Sequence, residues 1–446
     1  MVELGQRTLI LGAGMTGLAA GYASGFPIYE CTDIPGGLCA SYYVRPGESK
    51  RLHSPPLDGE GYRFEVGGGH WLWGGDQLVL QLIQRLVPLR RYTRRAAAYF
   101  VDRDLFVPYP IQHNLKHFGA DVAIRAVSEM LLSNKGASRS TTMADWLEYS
   151  FGRTLNEMFF APYNMRYTAG LSTTISPQDS SKSPLDLHRV IAGAHDSIHD
   201  HRGYNEYFLY PVDGLNALAG SLARHNLIHY RKQAVKIDVN QKALFFTDGS
   251  IVPYDNLICT LPLNRSLKLA GIALDDKADP FTSVLVINIG AKKGERCPTE
   301  HWVYISASNC RFHRVGFYSN VDSSFLPVSA RDEGDRVGIY VETAYLGGQR
   351  PQREEVDELS AKIVEELTAW QWIGEIDVVD STWVETAYTW TRPMSDWVGR
   401  SLRILSEFGV CQVGRYGRWA SKVTEQSIVS SIRDGLLAGA TFGTVI

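Results

Sequence analysis

Gly12, Gly14 and Gly17 stand in the spacing GxGxxG, between the apolar run TLIL at Thr8 to Leu11 and the small-residue run MTGLAAGYA. That spacing suits a dinucleotide pyrophosphate at a strand-to-helix junction. The first glycine permits a tight turn, the second lets the backbone approach the phosphates, and the third lets helix and strand pack closely. The helix N-terminus adds free N–H groups and the positive end of the helix dipole. A second strand, PIYE, ends in Glu30, placed to hold ribose hydroxyls. A different chemistry is conceivable at His195, Asp196, His199, Asp200 and His201, where two histidines at i, i+4 could chelate a metal. The string lies between a helical region and a strand, so a solvated polar loop is expected there and no metal.

Gly36 and Gly37 in DIPGG allow a second close backbone approach after Glu30. This DxxGG string resembles the FAD signature of the flavin amine oxidase and protoporphyrinogen oxidase superfamily, which implies FAD rather than NAD. The bulk composition agrees with a folded enzyme. A chain of 446 residues calls for about two or three domains. The 44% hydrophobic and 21% charged fractions are those of a water-soluble globular protein. A net charge of -3 offers no basic field to nucleic acid. Six scattered cysteines without a CxxC pair fit reduced thiols and a cytoplasmic location. The apolar start is broken by glycines and lacks a basic leader, so neither a signal peptide nor a membrane span is expected.

The elements that must position these residues form an α/β fold: a Rossmann-like FAD-binding domain, a helical insertion and an antiparallel β-sheet substrate domain. The FAD domain is expected to be discontinuous, over residues 1–85, 205–280 and 395–446. Its closing segment reads as the strand GVCQV, a glycine turn and the helix SIVSSIRDGLLAGATFG. A mainly helical insertion is expected over 86–204, from the i, i+3, i+4 pattern of VAIRAVSEMLL and MADWLEYSFG. The substrate sheet is expected over 281–394, from SVLVINIG, WVYIS, HRVGFYS and VGIYVETAY, with one helix near Glu355 to Leu367. Asp248-Gly249 signals a hairpin, and the glycine-dense FEVGGGHWLWGG reads as a loop facing the cofactor.

Five further strings together resemble UDP-galactopyranose mutases, more the eukaryotic-type branch than the bacterial one, over nearly the whole chain. They are GGH at Gly68 to His70, VPYPIQHN at Val107 to Asn114, PYN at Pro162 to Asn164, WVYISASNCRFHRVGFYSN from Trp302, and GRYGRW from Gly414. In that family the N5 atom of reduced FAD attacks the sugar anomeric carbon and displaces the nucleoside diphosphate. The ring opens and recloses through another hydroxyl, with no net redox. The resemblance implies non-covalent FAD, with NAD(P)H as a candidate reductant, and a nucleotide-sugar substrate; a homo-oligomer is compatible with it.

Residue by residue, the resemblance puts Arg314 on the family's diphosphate-binding arginine, and Tyr304 and Asn164 on substrate-site positions. His70 follows Gly69 in the loop beside the flavin, and Arg415 falls near the flavin. Tyr109, Ile111, Gln112 and Asn205 take positions used around the uridine. The departures bear on substrate identity. Thr168 replaces a tryptophan of the sugar pocket, Ser421 replaces a tyrosine, and Arg392 stands where a second diphosphate-binding tyrosine is usual. Lys182, beside Ser181, is the nearest cation to the family's other diphosphate arginine. His70, Arg314 and Arg392 are thus the candidate catalytic residues, in an enlarged or reshaped sugar pocket that need not take galactose. An FAD-dependent oxidoreductase, of amine oxidase or desaturase type, is the competing expectation, and a flavin-binding scaffold without catalysis the third.

Overall fold

Four consecutive apolar or β-branched residues, Thr8 to Leu11, are buried on both faces, as the middle strand of a parallel sheet requires. The computed structural model describes residues 7–133, 141–177, 185–195, 206–274, 277–420 and 425–443. In it that strand sits third of five, in the order Val410–Gln412, Asn256–Cys259, Thr8–Leu11, Ile28–Tyr29, Ile228–His229. All four pairings are parallel. Strands from both ends of the chain and from its middle therefore share one sheet.

The helix Met15–Ser24 follows the first strand and ends at Gly25 in the left-handed region, φ 74°. It packs on the last helix, Ile428–Gly443, through positions too tight for a side chain. A Cβ on Gly435 would lie 2.1 Å from the Thr16 carbonyl oxygen, and one on Gly439 2.2 Å from that of Ala20. A small antiparallel sheet of Ala234–Asp238, Ala243–Phe246 and Ile251–Pro253 lies beside this unit. Its turn carries Gly249 at φ +80°, as Asp-Gly predicts.

The larger sheet has seven strands in the order Ile373–Thr389, Phe281–Lys293, Arg336–Leu346, Arg314–Phe317, Trp302–Ile305, Ala96–Phe100, Leu105–Pro108. It is antiparallel except for one parallel pair, Ala96–Tyr99 with Trp302–Ile305. Two strands expected inside the helical insertion thus belong to this sheet. The preceding Leu89–Thr93 pairs with Tyr207–Pro211. Helices dominate only after Pro110: Ala120–Ser133, Met143–Leu155, a single wide turn at Asn156–Phe160, Ala161–Tyr167 and Leu187–His195. None of the described helices is long and apolar enough to cross a membrane.

Strand alternation separates the seven-stranded sheet into two faces. Leu285, Ile287, Val303, Val315, Val341 and Ile339 pack on one side with Ile363 and Leu367 of the helix Arg353–Ala369. Val284, Val286, Trp302 and Tyr340 point to the other side, into the main core shared with the parallel-sheet unit. Ile363 is fully buried on the face opposite Val286 and Tyr340. Ile363→Ala is expected to lower stability by about 2–4 kcal/mol. Chemical denaturation should show this as a shifted midpoint, with cofactor content of the folded protein unchanged.

Candidate functional site

Each glycine of the opening loop meets a different constraint. Gly12 takes φ +101°, and a Cβ there would stand 2.4 Å from Thr260 Oγ1. On Gly17 a Cβ would reach 1.9 Å from the Gly12 carbonyl oxygen, so this glycine lets helix and strand touch. Around Gly14 nothing lies within 4 Å of that position, which leaves open space at the start of the helix. No side chain caps that helix and no acidic residue occupies its first turn, so the dipole's positive end is not spent. Gly36, at φ +110°, donates its N–H to the Ala13 carbonyl at 2.8 Å and bridges to Gly14. Gly37, at φ +57°, closes the same approach, its would-be Cβ 3.4 Å from Gly14 Cα. Glu30 is buried at the end of the second strand. Its Oε2 accepts from the Ala13 N–H at 2.7 Å, and its Oε1 from the N–H and hydroxyl of Thr32.

Between this unit and the seven-stranded sheet lies a cavity of about 500 Å3. Three adjacent strands supply its floor. Tyr304, Arg314 and Glu342 are directly opposite one another in the ladder and so face the same side. Arg314 pairs side-on with Glu342, Nε to Oε2 at 2.9 Å and Nη2 to Oε1 at 2.5 Å. His313 Nε2 stands 3.4 Å from the same Oε2. Burial alone would raise the Glu342 carboxyl, but Arg314 and His313 hold it down to about 2. Burial depresses the Arg314 guanidinium, and the Glu342 carboxylate more than reverses this, so Arg314 ends well above its usual value.

The glycine-rich loop closes on this row. A Cβ on Gly68 would sit 3.1 Å from Glu342 Oε1, and one on Gly69 2.3 Å from the Tyr340 hydroxyl. His70 then enters the cavity, with Nδ1 3.1 Å from the Gly68 carbonyl oxygen, and burial lowers its pKa, which favours the neutral ring. Arg415 donates to the Ala387 carbonyl at 3.0 Å and lies over Tyr416 and Tyr388. The helix Ala161–Tyr167 contributes Tyr163, Asn164 and Tyr167. Tyr109 packs on Tyr304 with ring centroids 4.6 Å apart. Trp73, Met143, Trp146, Leu147 and Phe160 complete an apolar wall.

A family model for flavin containing amine oxidoreductases matches residues 25–397. The chain belongs to that family. The flavin amine oxidoreductase family implies FAD. Among solved structures, reduced UDP-galactopyranose mutase is similar with a TM-score of 0.83 at 21% identity, covering 99% of this chain and 95% of that one. Putrescine oxidase bound to putrescine is similar with a TM-score of 0.56 at 15% identity, covering 98% and 99%. A CLA-producing fatty acid isomerase from P. acnes gives 0.54 at 15%, covering 99% and 98%. No curated protein matches by sequence. These likenesses establish the fold of an FAD-dependent amine oxidase superfamily member, with its parallel sheet and separate, mainly antiparallel sheet.

The residues present fit FAD. The open space at Gly14 and the uncapped helix behind it suit a pyrophosphate, Glu30 stands where ribose hydroxyls would be held, and Gly69, His70 and Arg415 line the cavity where the ring system would enter. Of the other expected site residues, the structure brings Arg314, Tyr304, Asn164 and Tyr109 to the cavity.

Others it places elsewhere. Ile111 and Gln112 are fully buried away from the cavity wall, where the helix Leu187–His195 seals them in. Gly193 of that helix lies so close that a Cβ would sit 2.0 Å from the His113 carbonyl oxygen. Thr168 is also fully buried and is not a wall residue. Its hydroxyl donates to the Asn164 carbonyl at 2.7 Å and accepts from Ser172 N–H, so the residue closes its own helix. Arg392 turns away, because the buried Asp279 accepts from its backbone N–H at 2.9 Å and the Ala278 carbonyl takes its guanidinium. Lys182, Asn205, Ser421, Ser181 and positions 196–201 of the histidine cluster lie outside the described residues; His195 ends a helix.

Glu342, Tyr163, Tyr388 and Trp146 were not singled out from sequence. Glu342 carried one usable signal, a charged residue inside an apolar alternating strand beside an arginine-bearing one.

Gly14→Val is expected to give a protein with near-normal melting temperature but no flavin absorbance, since only the cofactor's space is filled. Gly17→Val must instead displace the Gly12 backbone and should melt early even without cofactor. A yellow, fully loaded Gly14→Val protein would overturn the pyrophosphate assignment.

Proposed function

We propose that the chain is a flavin-dependent mutase that interconverts the pyranose and furanose forms of a nucleotide sugar, with no net redox. The observation that carries this reading is the cavity's donor-rich, net-positive lining. Among the described residues, Arg314 and Arg415 stand against a single carboxylate, Glu342, for a net charge of +1, with Tyr109, Tyr163, Tyr304, Tyr388 and Tyr416 around them. Such a lining suits a diphosphate, through guanidinium and phenolic donors. A cationic amine would gain little there, because both oxygens of Glu342 are taken by Arg314. Likeness to a mutase at TM-score 0.83, against 0.54 to 0.58 for the fatty acid isomerase and putrescine oxidase, supports the same reading.

Non-covalently bound FAD, reduced by a donor such as NAD(P)H, would supply the nucleophilic N5 for the anomeric carbon. The chain's own residues then have distinct tasks. Arg314 offers the guanidinium edge not engaged by Glu342 to the departing diphosphate. Tyr304 and Tyr163, whose rings meet edge to face at 5.5 Å, form a wall that orients the sugar. His70, kept neutral by burial, retains an acceptor nitrogen toward the cavity. The aromatic wall limits water around a reactive open-chain sugar. With Thr168 buried, pocket shape is set by Tyr167 and Trp146 instead.

Protein reduced under nitrogen should convert at least one member of a nucleotide-sugar panel into an isomer of identical mass, seen by chromatography and mass spectrometry. If no isomer forms while an amine or other small molecule bleaches the oxidised flavin, the chain is an oxidase and the mutase reading is wrong. Replacing the ion pair as a unit, Arg314→Met with Glu342→Gln, is expected to leave flavin content intact and weaken nucleoside diphosphate binding by about tenfold or more, measured by calorimetry. The double change avoids stranding a buried carboxylate, which Arg314→Met alone would do.

A further inference from the structure

We propose that Glu342 is a positioning residue that sets the charge of this cavity, holding Arg314 as a neutral ion pair so that substrate meets a directional N–H edge rather than a free cation. This rests on the mutase reading and adds a constraint to it. Both side chains line the cavity, but that of Arg314 is 22% exposed and that of Glu342 3%, so a ligand would meet the arginine far more than its counter-ion. The side-on pairing uses Nε and Nη2, and Nη1 is the nitrogen that Glu342 does not engage. The carboxylate is fixed from several sides. Val286 and Arg314 flank it in the ladder, Gly68 covers Oε1, and buried His313 stands against Oε2. Arg314 is likewise confined beside the Tyr340 ring.

The chemistry gives this arrangement a use. A leaving group that must depart and then return is served by donors that orient it without holding it at full Coulomb strength. A second unmasked guanidinium beside Arg415 would bind a diphosphate tightly in the ground state, and that binding does not lower the barrier. Glu342 therefore trades affinity for turnover.

The test uses flavin-loaded protein and inorganic pyrophosphate as a base-free probe, with Kd from calorimetry and turnover on the sugar that the panel identifies. Glu342→Gln keeps the shape and removes the charge. It should bind pyrophosphate about tenfold more tightly, as expected for unmasking one charge near the ligand, while kcat falls. The gain should vanish when Arg314→Met is added, and Glu342→Asp, which keeps the charge, should stay within about threefold of the parent. Unchanged or weaker pyrophosphate binding by Glu342→Gln overturns the proposal, as does an equal gain in Glu342→Asp, which would assign the effect to space. Should Glu342→Gln not load flavin, Glu342→Met is read in the same way. A parent protein that isomerises a sugar while these variants fail the test sinks this inference alone. A parent that neither binds pyrophosphate nor isomerises sinks the mutase reading itself.

Discussion

A carboxylate that scarcely meets water sits at the centre of this molecule. Glu342 is buried in the middle of the larger sheet, and leaving it unpaired would cost several kcal/mol. The neighbouring strand answers with Arg314, placed opposite it in register. The loop from Gly67 to Gly69 can then lie on the sheet because it carries no side chains to collide with Glu342 and Tyr340. Gly316, whose Cβ would fall 1.9 Å from the Tyr340 ring, clears the other side of that tyrosine. His70 owes its position to this stack. The ion pair is thus at once a condition of the loop's path and part of the cavity floor.

The FAD unit was legible in the sequence because its constraints are local. A strand, three glycines at fixed spacing, a helix and a terminal acid specify one another within about one βαβ unit, and the structure gives each glycine a separate steric reason. The strands of the larger sheet were equally visible as alternating runs, although Ala96–Phe100 and Leu105–Pro108 were lost inside an insertion read as helical. Ala96–Phe100 joins the sheet through Trp302–Ile305, some two hundred residues away, Leu105–Pro108 joins it only through Ala96–Phe100, and no local pattern announces the distant pairing.

The site was less legible, and one string shows why. The pentapeptide VETAY occurs at Val341 to Tyr345 and again at Val384 to Tyr388. In the first copy the glutamate, Glu342, points into the cavity and Tyr345 packs on the opposite face. In the second, Tyr388 lines the cavity while Glu385 faces outward and accepts from the Trp383 ring nitrogen. Val284, between the two strands, pairs with Ala344, the fourth residue of the first copy, and with Val384, the first residue of the second, so the copies lie an odd number of residues out of phase and show opposite faces. Identical residues therefore acquire opposite roles from pairing alone. Arg392 and Thr168 illustrate the converse, because the resemblance matched their positions along the chain but not their surroundings. Asp279, from a remote loop, claims the first, and the second spends its hydroxyl within its own helix.

The joining of the two chain ends has a consequence in time. The cradle at Gly14 lies on a helix whose backbone is gripped by Gly435 and Gly439, and the sheet beneath it is edged by Val410–Gln412. During synthesis the segment from Thr8 to Gly37 emerges from the ribosome carrying a recognisable nucleotide fingerprint but lacking the outer strand Val410–Gln412 and the covering helix Ile428–Gly443. Those follow only after the whole of the larger sheet has been made. Until then the fingerprint is incomplete, with its apolar strand and small-residue helix exposed to other partners.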